Sequence, residues 1–325
     1  MARSSADPGV STSTRTVQGA GVDLVVHESG DPSWPAVLLV HGFPDTSAVW
    51  RPVAERLSGE FHVITYDVRG AGASGVPAGR SGYALPLLVA DMKAVAAATS
   101  PGAAVHLVGH DWGSIQGWEA VTTDDMRGRV ASYTSISAPP IDHVSVWVRN
   151  RLRRGSGDLR SALRQAVHSW YIGFFRIPRI PEWFARTMAN SELWTEALHR
   201  VESVPTDEAW PAPTFSTDFE HGVELYRANI ASRLRRPENR HTDVPVQLIV
   251  PRQDRYVTPA LLDGLETWAT TLWRRDVEGG HWIIRSNPGD VAEWVRELIR
   301  FAADGTESPD LARWRVMTAR TSARG

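Results

Sequence analysis

An aspartate stands where an apolar, strand-like run gives way sharply to a helix-like one. Gly109-His110-Asp111-Trp112-Gly113-Ser114 follows Val105–Val108 and leads into Ser114–Val121. Small residues flank Asp111 two places on either side, the pattern of a nucleophile elbow. The glycines answer a physical need. The central residue of such a turn is strained, and a side chain at either flank would strike a neighbouring element. A carboxylate in this position attacks saturated carbon and forms an alkyl ester. Attack on a peptide or an ester would give an anhydride, so the elbow points away from proteases and lipases. An alkyl ester must next be hydrolysed, and that step needs a base to activate water. His281, in Glu278-Gly279-Gly280-His281-Trp282, follows the last expected strand. Asp254, in Pro251-Arg252-Gln253-Asp254-Arg255, follows the strand before it. Asp254 would hold the imidazole in its working tautomer and stabilise the imidazolium. Asp142, after the strand Val130–Ser137, is the alternative acid.

The oxyanion of the ester step needs N–H donors. His41-Gly42-Phe43-Pro44-Asp45 closes the apolar run Pro35–Val40 beside the elbow. The backbone N–H groups of Phe43 and Trp112 are the expected pair.

These residues must be positioned by strands that end on one edge. Thr14–Gln18 and Val22–His27 read as two short strands across a glycine turn. Pro35–Val40 and Phe61–Tyr66 are continuous apolar runs, as expected of strands buried on both faces. Ser47–Leu57 and Leu85–Thr99 read as helices between strands. Strand character returns at Val244–Val250 and Leu272–Val277. A final helix is expected after Asn287-Pro288, with Asn287 as its cap and Val291, Trp294, Val295, Leu298 and Ile299 on one face. Alternation of strands and helices implies an α/β fold with a mainly parallel central sheet, whose ligands bind at the carboxyl ends of the strands. Residues 142–241 differ in character. They are rich in Trp and Arg and read as helices at Val144–Arg154, Ser161–Phe175, Pro181–Met188, Ser191–Val201 and Thr217–Arg235. They fall between two strands and are therefore expected to be an all-helical cap inserted over that edge. The core is expected at 14–141 and 242–302, with a disordered stretch at 1–13 and a linker-like tail at 303–325.

Composition narrows the function classes. The chain has 325 residues, 42% of them apolar, which suffices for one large domain with an insertion. A net charge of −2 gives no electrostatic case for nucleic acid. Without cysteine, disulfide and thiol chemistry are excluded. No apolar stretch is long enough to span a bilayer, and the first residues do not read as a secretory signal, so the expected location is cytoplasmic. Arg149-Asn150-Arg151-Leu152-Arg153-Arg154 reads either as a solvated helix face or as a surface for an anionic membrane.

The HGFP turn at 41–44, the GHDWG elbow at 109–113, and the GGHW segment at 279–282 together resemble the epoxide hydrolases of the α/β-hydrolase superfamily. The resemblance covers about residues 14–302. It implies the α/β-hydrolase fold and two cap tyrosines that hydrogen-bond the epoxide oxygen. Tyr171, in Trp170-Tyr171-Ile172-Gly173-Phe174-Phe175, and Tyr226, in Leu225-Tyr226-Arg227-Ala228-Asn229, lie in contexts similar to the family's two tyrosine segments. The implied reaction converts a small apolar epoxide and water to a vicinal diol, with no cofactor and no metal. Haloalkane and haloacid dehalogenases share the Asp nucleophile, and Trp112 would supply one halide donor. Their Asn is absent at the place of Phe43. A ligand-binding relative without turnover is the third reading. The sequence also resembles the hydrolase half of bacterial proteins in which a short-chain dehydrogenase domain follows, which implies a fused domain absent from this chain. A homodimer is a further expected partner.

Overall fold

A computed structural model describes residues 12–154, 156–188, 196, 199–200, 202 and 204–317. The strands are β1 (Ser13–Gln18), β2 (Asp23–Ser29), β3 (Ala36–Val40), β4 (His62–Tyr66), β5 (Val105–His110), β6 (Val130–Ile136), β7 (Val246–Pro251), β8 (Leu272–Val277) and β9 (Arg315–Val316). They form a single sheet in the order β1-β2-β4-β3-β5-β6-β7-β8-β9. Every pairing from β4 across to β8 is parallel, and antiparallel pairs are confined to the two ends. The parallel strands β3, β4, β5 and β7 are buried along their whole length, because helices cover both faces. On one face lie α1 (Arg51–Leu57) and a C-terminal helix (Pro288–Asp304), packed on Val37, Leu39 and Val108. On the other lie α2 (Leu85–Thr99) and α3 (Trp112–Thr122), packed on Leu38, Val40 and Leu107. Successive residues of β3 therefore feed opposite cores, as the two-residue period of a strand requires.

Between β6 and β7 come α4 (Ile141–Arg154), α5 (Ser156–His168), α6 (Trp170–Phe175), α7 (Ile180–Met188) and α8 (Phe215–Arg235). The expected single helix Ser161–Phe175 is broken at Ser169, which separates α5 from α6. The stretch expected to be helical at Ser191–Val201 lies mostly outside the described residues, as does the N-terminal stretch through residue 11. Buried polar bonds tie the helical insertion to the helices and loops that flank the sheet. The Asn229 side chain accepts from Leu85 N at 2.9 Å and donates to Tyr83 O at 2.9 Å. Asp218 accepts from Gly72 N at 2.8 Å. Glu119 on α3 pairs with Arg233, and with Arg240 at 2.7 Å. Asp142 belongs to this anchoring set: it accepts from Glu238 N at 3.0 Å and pairs with Arg233.

After β8 come α9 (Ile283–Ser286), α10 (Pro288–Asp304) and α11 (Pro309–Ala312). Pro288 opens α10 as expected, but the Asn287 side chain makes no capping bond. The linker-like reading of the tail is corrected as far as residue 317. Leu311 is buried against Trp273 and Leu298, with Trp314 packed beside them. β9 pairs with β8 as the sheet's last strand. This packing escapes a periodicity search because Leu311 and Trp314 are isolated apolar residues among charges. Residues 318–325 lie outside the described residues.

Candidate active site

Asp111 sits between β5 and α3 with φ 52° and ψ −119°, a backbone conformation that L-residues rarely adopt. The turn is tight enough to dictate its neighbours. A Cβ on Gly109 would lie 2.4 Å from Gly113 O, and one on Gly113 would lie 2.0 Å from Val40 O. Both positions therefore exclude any side chain. The strained turn lifts the Asp111 carboxylate to the carboxyl end of the sheet. There Oδ1 accepts the Phe43 backbone N–H at 2.8 Å.

The HGFP turn is held rigidly for this contact. His41 donates from Nδ1 to Gly42 O at 2.9 Å and accepts Val68 N–H at Nε2 at 2.8 Å. Burial lowers its pKa, the Asp67 charge notwithstanding, so the ring keeps this neutral pattern. Asp45 is buried between two indoles. Its oxygens accept from Trp210 Nε1 at 2.8 Å and Trp282 Nε1 at 2.9 Å. Burial pushes its pKa up to about 6 against those two hydrogen bonds. Asp45 thus joins the HGFP turn, the residue after His281 and the segment that enters α8.

His281 follows β8 and Asp254 follows β7, and these neighbouring strands deliver both to the edge where Asp111 stands. His281 Nδ1 donates to Asp254 Oδ2 at 2.9 Å, and its Nε2 lies 3.6 Å from Asp111 Oδ2. The other Asp254 oxygen accepts the backbone N–H groups of Tyr256 and Val257 at 2.8 and 2.9 Å. The His281 carbonyl accepts from His110 Nε2 at 2.9 Å. Burial works against a charged imidazole here. The Asp254 charge, with the Asp111 and Asp254 hydrogen bonds, outweighs it and holds His281 well above its ordinary value. Burial likewise pushes Asp111 up, and the bond and charge of His281 bring it below the ordinary carboxylate value. The two form a carboxylate–imidazolium pair in the resting site. Asp142 sits instead at the start of α4, among the anchoring arginines.

Tyr171 on α6 and Tyr226 on α8 come together above Asp111, with ring centroids 6.0 Å apart. Burial, then the Asp111 charge, raises both phenols well above their ordinary pKa, so both carry their protons. The Trp112 and Tyr226 rings meet edge to face at 4.9 Å. A cavity of about 310 Å³ opens over Asp111, walled mainly by aromatic rings such as Phe174, Phe184 and Phe219. A smaller one of about 90 Å³ lies on the other side of the tyrosines, among Ile115, Val144 and Leu261. Asp111, Tyr171, Tyr226 and Tyr256 line both. Tyr256 and Asp45 are the residues that sequence reading missed. Tyr256 stands two places after Asp254 and meets the His281 ring edge to face, with centroids 4.8 Å apart. Asp45 directly follows the HGFP turn, and that adjacency was its available signal. Among the described residues, no cluster of three or more His, Asp or Glu side chains is arranged to hold a metal.

The family model of the alpha/beta hydrolase fold matches residues 35–288, and the chain belongs to that family. An epoxide hydrolase from Caballeronia sordidicola is 30% identical over 226 residues, covering 64% of this chain and 68% of that protein. With that relative, the chain falls within the family's epoxide hydrolase branch. The protein named probable oxidoreductase EphD from Mycobacterium tuberculosis is 35% identical over 302 residues. That match covers 91% of this chain and 51% of the mycobacterial protein, so the chain spans about half the length of this relative. Among solved structures, the Bacillus megaterium epoxide hydrolase in complex with an inhibitor superposes with a TM-score of 0.72. It is 22% identical, with 88% of this chain and 100% of that one covered. No helix among the described residues is long and apolar enough to cross a membrane.

Proposed function

We propose that this chain opens epoxides to vicinal diols through an ester on Asp111. The observation that carries the reading is one juxtaposition. A buried carboxylate faces two protonated phenols across an apolar cavity, and a histidine–aspartate pair stands behind it. Tyr171 and Tyr226 donate to the ring oxygen. Asp111 attacks a ring carbon from the opposite side as the carbon–oxygen bond breaks, and one tyrosine gives its proton to the new hydroxyl. The product of this step is a hydroxyalkyl ester.

Esterification removes the negative charge of Asp111. Two of the influences that raise the pKa of His281 vanish with it, the Asp111 charge and the Asp111 hydrogen bond. The imidazolium therefore releases its proton, which returns through solvent to the tyrosinate, and leaves a neutral imidazole free to accept a proton when the ester needs a base. His281, oriented by Asp254, takes a proton from water, and the hydroxide adds to the carbonyl carbon of Asp111. The N–H groups of Phe43 and Trp112 hold the oxyanion. Collapse expels the diol oxygen, which takes the proton from His281. The carboxylic proton left on Asp111 passes to His281 and restores the resting carboxylate–imidazolium pair. The chemistry is complete with side chains and one water.

Halide displacement would need side-chain N–H donors in the cavity. Phe43 has none, and the cavity over Asp111 is lined by Tyr171 and Tyr226 and not by Trp112, which favours the epoxide reading. The aromatic walls suit a bulky apolar substrate, an aryl or fatty-acyl epoxide. The test is diol formation from a panel of such epoxides, with halide release from matched haloalkanes in parallel. Diol formation abolished by Asp111→Ala supports the proposal. Halide release without diol transfers the chain to the dehalogenases, and silence in both, with ligand binding retained, to a non-catalytic relative.

A further inference from the structure

The outer face of the cap is apolar and cationic at once. α5 exposes Leu159, Leu163 and Val167, four residues apart and therefore on one side of the helix. Val167 is 71% exposed. This stripe points away from the protein, whereas Gln165 on the opposite side is buried. A helix of a soluble surface has the reverse arrangement. Trp170 continues the stripe at the start of α6 and is 68% exposed. Ile180 and Trp183 add a second exposed apolar patch on α7.

Exposed positive charge accompanies these apolar residues. Residues 141–190 hold nine arginines against three carboxylates, in a chain whose net charge is −2. Arg160 and Arg164 flank the α5 stripe, and Arg176 and Arg179 lie between α6 and α7. All four are exposed and make no ion pair among the described residues. Alternating arginine and large apolar groups match an anionic bilayer surface, where the rings and aliphatic side chains enter the headgroup boundary and the guanidinium groups meet phosphates. Trp170 also forms part of the wall of the 310 Å³ cavity, so the stripe reaches the cavity rim.

We infer that the α5–α7 face of the cap docks on an anionic lipid surface and holds the rim of the active-site cavity against it. An apolar ligand dissolved in the bilayer then enters at Trp170 without crossing water. The face lies flat on the membrane and does not span it.

Co-flotation of the full chain with phosphatidylglycerol/phosphatidylcholine vesicles tests this, with pure phosphatidylcholine vesicles as the reference. Recovery with the anionic vesicles and its loss in high salt are expected. One cationic residue at such a surface contributes roughly a fivefold factor in partitioning. Reversing two charges in R160E/R164E should therefore weaken flotation more than about tenfold, with an unchanged melting temperature. L163S/V167S should weaken the binding that survives at intermediate salt. Failure of the wild type to float with anionic vesicles overturns the inference. Equal flotation of wild type and R160E/R164E does so as well. Concentration-dependent dimerisation abolished by L163S/V167S, without flotation, assigns the face to a second copy instead.

Discussion

Replacing His281 with Gln separates the two halves of the proposed reaction. The imidazole is 3% exposed, 2.9 Å from Asp254 and 3.6 Å from the nearer Asp111 oxygen. It serves as a base only after the ester exists. Attack by Asp111 relies on the Phe43 N–H and the two phenols, and the substitution touches neither. Gln retains an N–H for the buried Asp254, so the folded state loses less than the roughly 3–5 kcal/mol of a broken buried pair. General-base assistance contributes typically 10²–10⁴-fold, and that loss falls on the second step alone. The expected result is one rapid equivalent of epoxide consumed per protein, followed by turnover slower by about that factor. Intact-mass spectrometry should show a protein heavier by the mass of the epoxide. Asp111→Asn should show neither burst nor adduct. Turnover of His281→Gln within threefold or so of the wild type refutes the assigned base. A folded variant that forms no adduct refutes the ester.

Tyr226→Phe should slow adduct formation by about 10²-fold or more, the usual loss for one donor to a developing oxyanion. A combined Tyr171→Phe should slow it further, as read in single-turnover experiments, while hydrolysis of a preformed ester is little changed. Gly113→Ala places a Cβ 2.0 Å from Val40 O, and backbone on both sides cannot yield. Its unfolding free energy should drop by about 3 kcal/mol or more in urea titration. Asp45 gives a pH signature. Burial, outweighing the two indole bonds, sets its folded pKa at about 6, above the ordinary 3.8. The folded state therefore holds the proton more tightly, and the Asp45 contribution to stability falls as pH rises from about 4 to 6. The stability of wild type minus that of Asp45→Asn should decline over that window by up to about 3 kcal/mol. A flat difference sinks this reading.

Much of the site was legible in the chain. Asp111 stands out because a strained turn tolerates only small flanks, and backbone sterics act over a few residues. Strand ends were legible through the buried runs, which require continuous apolar sequence. That placed Asp254 and His281 on one edge before any contact was known. The parallel order of β3 to β8 follows from alternation with helices, itself a local pattern. Tertiary structure alone decided the rest. The 2.9 and 3.6 Å distances around His281 depend on β7 and β8 pairing in one register. Asp45 joins Trp210 and Trp282 across 165 and 237 residues of chain, a link with no period or spacing to reveal it. Tyr256 is unremarkable in sequence until the fold lays it on His281. The tail after residue 302 packs because β8 offers an open edge, a property of the sheet that the tail's own residues do not encode. Periodicity and turn chemistry are short-range, so they expose the elements and the elbow. Proximity between distant residues is a property of the packed core, so only the folded chain shows which polar groups share a bond.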